Sequence, residues 1–432
     1  MIKLIIFILS IFILSHCSIN EKTTIWKDKE KKKEIQKDIR EITSKDKKIV
    51  AEFNHELKLD LSKINVNNKI VDNKNNYGSQ NYIGEIIKVG RYKFSKLENV
   101  KQLNFKPIFF NNGLIFFDKK GSIIRYKDNQ KILWKTNHYS KSERKLKPKL
   151  NFFLDDENLI VTDNIAKYYS INVSTGKLNW SKSSLYPFNS EIKKSKNKFF
   201  VVDYKNTLRC YNINDGSECW SLQTEDSFTL SNSKFSVIIV DDLVVFNNSV
   251  GDITAVNIET GLITWQLPTQ NSNIINQTYS FKTSKLVSDG KSIFFSNNKN
   301  EFYSVDVKTG NTNWINEINS NLTPIISENL LLTVSNEGYL HILEKNNGNI
   351  IRITDLFLDY KIKKRKNVKP IGFAMGNTKL YLTNTDGKML VVDLNLGKVI
   401  SIEKVARNFT SRPFISNKNL FIITNGSIIQ YN

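Results

Sequence analysis

Few side chains in this chain have the types and spacing that chemistry requires. There are four His and three Cys in 432 residues. His16, His55, His138 and His341 are scattered, and no two of them stand at a metal-ligand spacing. His341 sits in an apolar strand pattern and reads as a packed residue rather than a base. There is no Gly-x-Ser-x-Gly elbow, no phosphate-binding loop and no Gly-x-Gly-x-x-Gly run, and no carboxylate pair stands apart from the turn acids. Cys210 and Cys219 lie on the two arms of one hairpin whose turn runs from Asn214 to Ser217. Their parity puts them on the same face, about one pair out of register, so a disulfide between them depends on a bulge. This inventory predicts a protein that binds rather than reacts, with no catalytic residue, metal or cofactor.

The informative residues are structural and they repeat. INVSTGKLNW at 171–180 returns as YNINDGSECW at 211–220, VNIETGLITW at 256–265 and VDVKTGNTNW at 305–314. Each copy places a Gly four residues before a Trp: Gly176 and Trp180, Gly216 and Trp220, Gly261 and Trp265, Gly310 and Trp314. Three weaker copies follow the same frame. RYKDNQKILW ends on Trp134 with Gln130 in the Gly place, while Arg352 and Ser401 replace the Trp in the other two. The Gly-equivalent positions are 130, 176, 216, 261, 310, 348 and 397. A period of that size, roughly 40–50 residues, marks a repeat architecture.

The physics of one block is that of a β-hairpin. β-Branched and aromatic residues lead into a polar pair, and Gly then supplies the positive φ of a tight turn. A second hairpin signal lies upstream of each block, as in NLIVTDNIAKYYSI, which makes four short strands per period. Ile253, Ala255, Val256 and Ile258 cover both faces of their strand, as a sheet sandwiched between neighbours requires. The fold expected is all-β: an eight-bladed β-propeller of four-stranded antiparallel blades, with each Trp packed between adjacent blades. After seven periods only three strands remain (RPFIS, NLFIITN and SIIQYN), which would leave an open edge. RYKFSKL at 91–97 can supply the missing outer strand, so the ring is closed by strands from both termini. The longest inter-blade connections are 221–234, 266–280 and 354–368.

Three segments precede and form this body. Residues 1–17 begin with Lys3 and an apolar run from Leu4 to Leu14, too short to span a bilayer, and read as a secretory signal. Residues 18–85 are rich in Lys, Glu, Asp and Asn, with bases and acids nearly balanced, and read as a polar, largely disordered tether. Ile35, Ile39 and Ile42 also allow a short amphipathic helix there that docks on a partner. Residues 86–432 form the propeller. The formal net charge is +21, yet Lys is abundant throughout, and an exported chain rarely meets nucleic acid. The densest basic run, Lys361 to Lys366, reads as a solvated inter-blade loop, with an acidic or phospholipid contact as the alternative.

Two resemblances add to this reading. Leu14-Ser15-His16-Cys17 resembles the lipobox of bacterial lipoproteins, which implies lipidation of Cys17 after cleavage. Ser18 after it is compatible with sorting to the outer membrane. The Thr-Gly block with its Trp resembles the repeat of pyrroloquinoline quinone-type propellers. Within them the lipobox, eight blades, NEGYLHILEKNNG and the ending LFIITNGSIIQYN resemble BamB-type lipoproteins of the outer-membrane β-barrel assembly machinery. That resemblance implies a non-catalytic, lipid-anchored scaffold at the periplasmic face of the outer membrane, monomeric within a hetero-complex. Its partner would be the barrel-forming subunit, with outer-membrane protein clients in addition. It also implies contacts from connections 221–234 and 266–280. Phe228 and Leu230 fall where the family carries apolar contact residues, and Ser231 stands where it carries Arg. The alternatives are a quinone-dependent periplasmic dehydrogenase, against which the absence of an adjacent Cys pair weighs, and a scaffold of another envelope complex.

Overall fold

We describe the protein from a computed structural model, covering residues 52–59, 81–97, 105–225, 233–269, 282–407 and 410–432. The described strands form eight four-stranded antiparallel sheets. Blade 1 comprises β2 (Ile108–Phe110), β3 (Gly113–Phe117), β4 (Ile123–Tyr126) and β5 (Ile132–Thr136). Blades 2 to 7 repeat that meander over 150–183, 193–223, 237–267, 287–316, 325–355 and 370–404. The first strands of successive blades pack against one another, as between blades 1 and 2, 3 and 4, 4 and 5, and 5 and 6, so they line the axis of a propeller. The second and third strands are buried along almost their whole length, while the fourth strands are half exposed. This explains why the apolar pattern does not alternate: the middle strands face a neighbouring blade on both sides.

The final blade closes the ring as expected. Its strands β30 (Phe414–Ser416), β31 (Asn419–Thr424) and β32 (Ser427–Tyr431) are completed by β1 (Lys88–Lys93) from the other end of the chain. β1 pairs antiparallel with β32, with Tyr92 opposite Ile428 and Arg91 opposite Ile429. Tyr92 stacks edge-on against Tyr126 of blade 1 at 5.5 Å, and Tyr126 Oη donates to Lys93 O at 2.6 Å.

The repeated block earns its residue types at each position. Asn172 Oδ1 accepts from the N–H groups of Ser174 and Thr175 and from the Thr175 hydroxyl. Asn257 with Thr260, and Asp306 with Thr309, repeat the arrangement. The turn then needs a left-handed residue, and Gly176, Gly216, Gly261, Gly310 and Gly348 all have φ between +69° and +75°. A one-residue bulge follows in the outer strand, as at Asn179 opposite Ser170 and Ile171, and it aims the Trp toward the next blade. There the indole lies flat on the next glycine. A Cβ on Gly216 would stand 2.6 Å from Trp180, and one on Gly261 would stand 2.7 Å from Trp220. The indole N–H of Trp134, Trp180, Trp220, Trp265 and Trp314 donates to a carbonyl in the same turn, at 2.8–3.2 Å.

Three seams depart from the rule, and at the one between blades 7 and 8 Ser401 simply holds the Trp place. Between blades 6 and 7, Arg352 takes the Trp place, fully buried, with its guanidinium against Gly397 and donating to Leu394 O and Asn395 O. It also donates to Leu57 O at 2.6 Å, and Phe53 exchanges two backbone hydrogen bonds with Ile353. Residues 52–59, inside the stretch expected to be a tether, are therefore docked along blade 6, with Leu59 buried in the core between blades 6 and 7. Tyr82 likewise packs edge-on against Tyr381 at 5.2 Å, a few residues ahead of the expected boundary at 86. At the closing seam the pair is inverted: Gly90 holds the Trp place, and Gln130, at φ +64°, holds the Gly place. A Cβ on Gly90 would meet the Gln130 amide at 2.9 Å, so the long side chain comes from the turn instead of the strand.

These seams predict a graded cost. Trp265→Ala is expected to lower unfolding free energy by about 3–5 kcal/mol, as loss of a buried Trp does. Gly310→Ala is expected to cost more than Gly290→Ala. Both have positive φ, but a Cβ at 310 would stand 2.6 Å from Trp265 whereas nothing lies within 4 Å at 290. Denaturant midpoints of the three variants check this, and equal costs at 290 and 310 would remove the packing explanation.

Candidate binding face

In a four-stranded meander the chain enters the first strand and leaves the fourth at the same end. The inter-blade connections and the turns between second and third strands therefore share one face of the ring. The repeated Thr-Gly turns and the turns between first and second strands share the other. The connection-bearing face also has a recurring polar device that sequence reading passed over. Asp118, Asp163 and Asp203 each accept backbone N–H bonds from residues two and four positions on, and Asn248 and Asn297 do the same. An Asp or Asn at the end of the second strand in each of blades 1 to 5, one period apart, was the available signal. Asp203 also pairs with Arg209, and Asp118 with Lys135, both at under 3 Å. These acids hold turns.

Two connections on this face are rich in cations. Between blades 1 and 2 the short helix α1 (Lys141–Lys145) carries a capping box in which Ser140 and Glu143 bond each other's backbone. Lys119, Lys120, Lys141, Arg144, Lys145 and Lys147 line a surface cavity of about 330 Å³ there. Between blades 6 and 7 the run expected as a loop forms a second short helix, α2 (Ile362–Arg365), with Arg365 2.7 Å from Asp355 and Lys364 3.1 Å from Asp386. On the opposite face acids and bases alternate, as with Glu259 held between Lys196 and Lys198.

Of the expected site residues, Cys17, Phe228, Leu230 and Ser231 lie outside the described residues, as does most of connection 266–280. The described flanks of connection 221–234 are anchored on the connection-bearing face: Asn206 Nδ2 donates to Glu225 O and Asn189 Nδ2 to Ser233 O. Cys210 is buried, Cys219 is exposed, and the two are separate thiols. The bulge that a disulfide requires is present, between Cys210 and Tyr211. His341 is buried, neither ring nitrogen has a hydrogen-bond partner among the described residues, and burial pushes its pKa down to about 4. It is a neutral core residue. Among the described residues no group of three or more His, Cys, Asp or Glu could hold a metal ion.

At the axis, Lys234 is pushed down from its ordinary 10.5 to about 7, first by burial and then by the field of Lys285. A lysine whose folded pKa lies below its unfolded value opposes folding fully below pH 7, and the penalty is relieved as pH rises from about 7 toward 10.5. The urea midpoint of wild type minus that of Lys234→Met is expected to climb across that window and to be flat below it. A difference independent of pH would show that Lys234 is not desolvated.

The profile of the family described as outer membrane protein assembly factor BamB matches residues 119–354, more than half of the chain. Among solved structures, BamB from Moraxella catarrhalis superposes with a TM-score of 0.63 at 16% identity, covering 80% of this chain and 99% of that one. The computationally designed Ika8 protein gives 0.60 at 13% identity, covering 79% and 100%. A europium-containing methanol dehydrogenase gives 0.58 at 11% identity, covering 80% and 86%. No curated protein matches.

Proposed function

Because the chain belongs to the family of the outer membrane protein assembly factor BamB, we propose that it is a non-catalytic scaffold of outer-membrane β-barrel assembly. It is carried to the periplasmic face of the outer membrane, anchored there through a lipid on Cys17, and binds the barrel-forming subunit of that machinery. It thereby aids the folding and insertion of outer-membrane proteins. The observation that carries this reading is the family match over the repeats themselves. The connection-bearing face agrees with it: the described flanks of connection 221–234, at Glu225 and Ser233, are held at that end of the ring. Loops on a stiff β scaffold suit binding, because the scaffold meets the ordering cost in advance.

The likeness to a methanol dehydrogenase, at 11% identity, is one of fold. A quinone and calcium pair would need an oxygen-rich donor set at the axis, since calcium takes about 6–8 oxygen ligands. Among the described residues, those that converge there are lysines around the carboxylate of Glu191. They do not fit calcium.

Two measurements test the proposal. Photo-crosslinkers at positions 228 and 230 are expected to capture the barrel-forming subunit in intact cells; full barrel assembly without any crosslink would remove the assigned contact. Co-purification of the lipoprotein from membranes is expected to bring the same subunit. Cys17→Ala is expected to release the protein from the membrane fraction, and its continued sedimentation with membranes would count against the anchor.

A further inference from the structure

The axial mouth on the connection-bearing face holds a charge arrangement that the scaffold reading does not use. Each of its members stands just ahead of, or within, the first strand of a blade. Glu191, leading into blade 3, accepts from Lys285, leading into blade 5, with the whole of blade 4 between them in the ring. Lys193 lies 3.8 Å from the other oxygen of Glu191. Lys234, leading into blade 4, donates to Asn151 of blade 2, and its ammonium stands 4.5 Å from the centroid of the Phe105 ring, ahead of blade 1. Pairs that skip a blade can meet only across the axis, so these side chains converge on it from several directions.

The electrostatics of the throat are one-sided. Glu191 acts on both Lys234 and Lys285, against the fields of Lys285 and Lys149 on the first and of Arg412 and Lys106 on the second. The lysines are largely shielded from water, with the Lys285 side chain 26% exposed. Like charges in such a place repel strongly, because little solvent remains to screen them. A lysine ammonium is a compact point charge with three donors, and ammoniums converging from different directions suit a compact acceptor with several oxygens.

We propose that the axial mouth binds a small, soluble, multivalent oxyanion of the phosphate class, gripped by Lys234 and Lys285 within the field of Lys106, Lys149 and Arg412. Lys234 ends connection 221–234, so the site adjoins one of the connections assigned to the partner, whereas Lys285 lies outside both. The existence of the site does not depend on the scaffold reading.

The test uses the full-length purified protein and sodium pyrophosphate as the probe. Pyrophosphate is expected to raise the melting temperature well beyond sodium chloride at matched ionic strength, and to broaden the phosphorus resonance of the ligand on binding. Lys234→Met combined with Lys285→Met is expected to weaken binding at least tenfold. Lys363→Met, on the exposed run between blades 6 and 7, is expected to bind as wild type. If the double variant proves unstable, Lys234→Met alone serves, read by the phosphorus resonance at a temperature where circular dichroism shows it folded. Three results would each overturn the site: the same melting shift with chloride, equal binding by the axial variants, or a response to phosphatidylglycerol vesicles with none to free pyrophosphate.

Discussion

The structure depends on a tryptophan lying on a glycine. At five consecutive seams an indole from the outer strand of one blade covers the turn of the next and donates its N–H to a carbonyl of that turn. The contact is possible only because the glycine has no Cβ, and the turn is possible only because glycine accepts positive φ. One residue therefore meets a local and a long-range requirement together. A blade cannot bury its faces alone, so the seam converts eight marginal sheets into one body.

The exceptions to the seam follow from the same geometry. Arg352 replaces an aromatic ring with a planar cation, and a buried guanidinium must have acceptors. It finds them in Leu394 O and Asn395 O of the next blade and in Leu57 O of the upstream segment. The apolar and backbone groups of residues 52–59 are held by the same stretch of blade 6. At the closing seam the outer strand has no connecting turn to fix its twist. Gly90 and Gln130 exchange the usual sizes, and Tyr92 and Tyr126 supply the aromatic contact that the absent Trp does not.

Topology then sorts function from structure. Because inter-blade connections all emerge on one face, the irregular segments and the convergent lysines of the axis come together there, while the seam turns occupy the other face. The division leaves one end free to vary and keeps the packing that holds the ring away from it. The likeness to both an assembly factor and a dehydrogenase shows how one frame serves different sites.

The repeat, the blade count, the ring closed by both ends and the packing of each Trp between adjacent blades were legible because they depend on local turn chemistry copied at a fixed period. Thr175, Gly176 and Trp180 carry their instructions within ten residues. The paucity of His and Cys was equally plain, and it turned the functional reading toward binding. What tertiary structure alone decided involves residues far apart in the chain. Glu191 and Lys285 meet across the axis 94 positions apart, and Arg352 reaches Leu57 over 295. No periodicity announces such contacts, because the ring's closure creates them: only when eight blades surround a common axis do the residues ahead of each first strand share one throat.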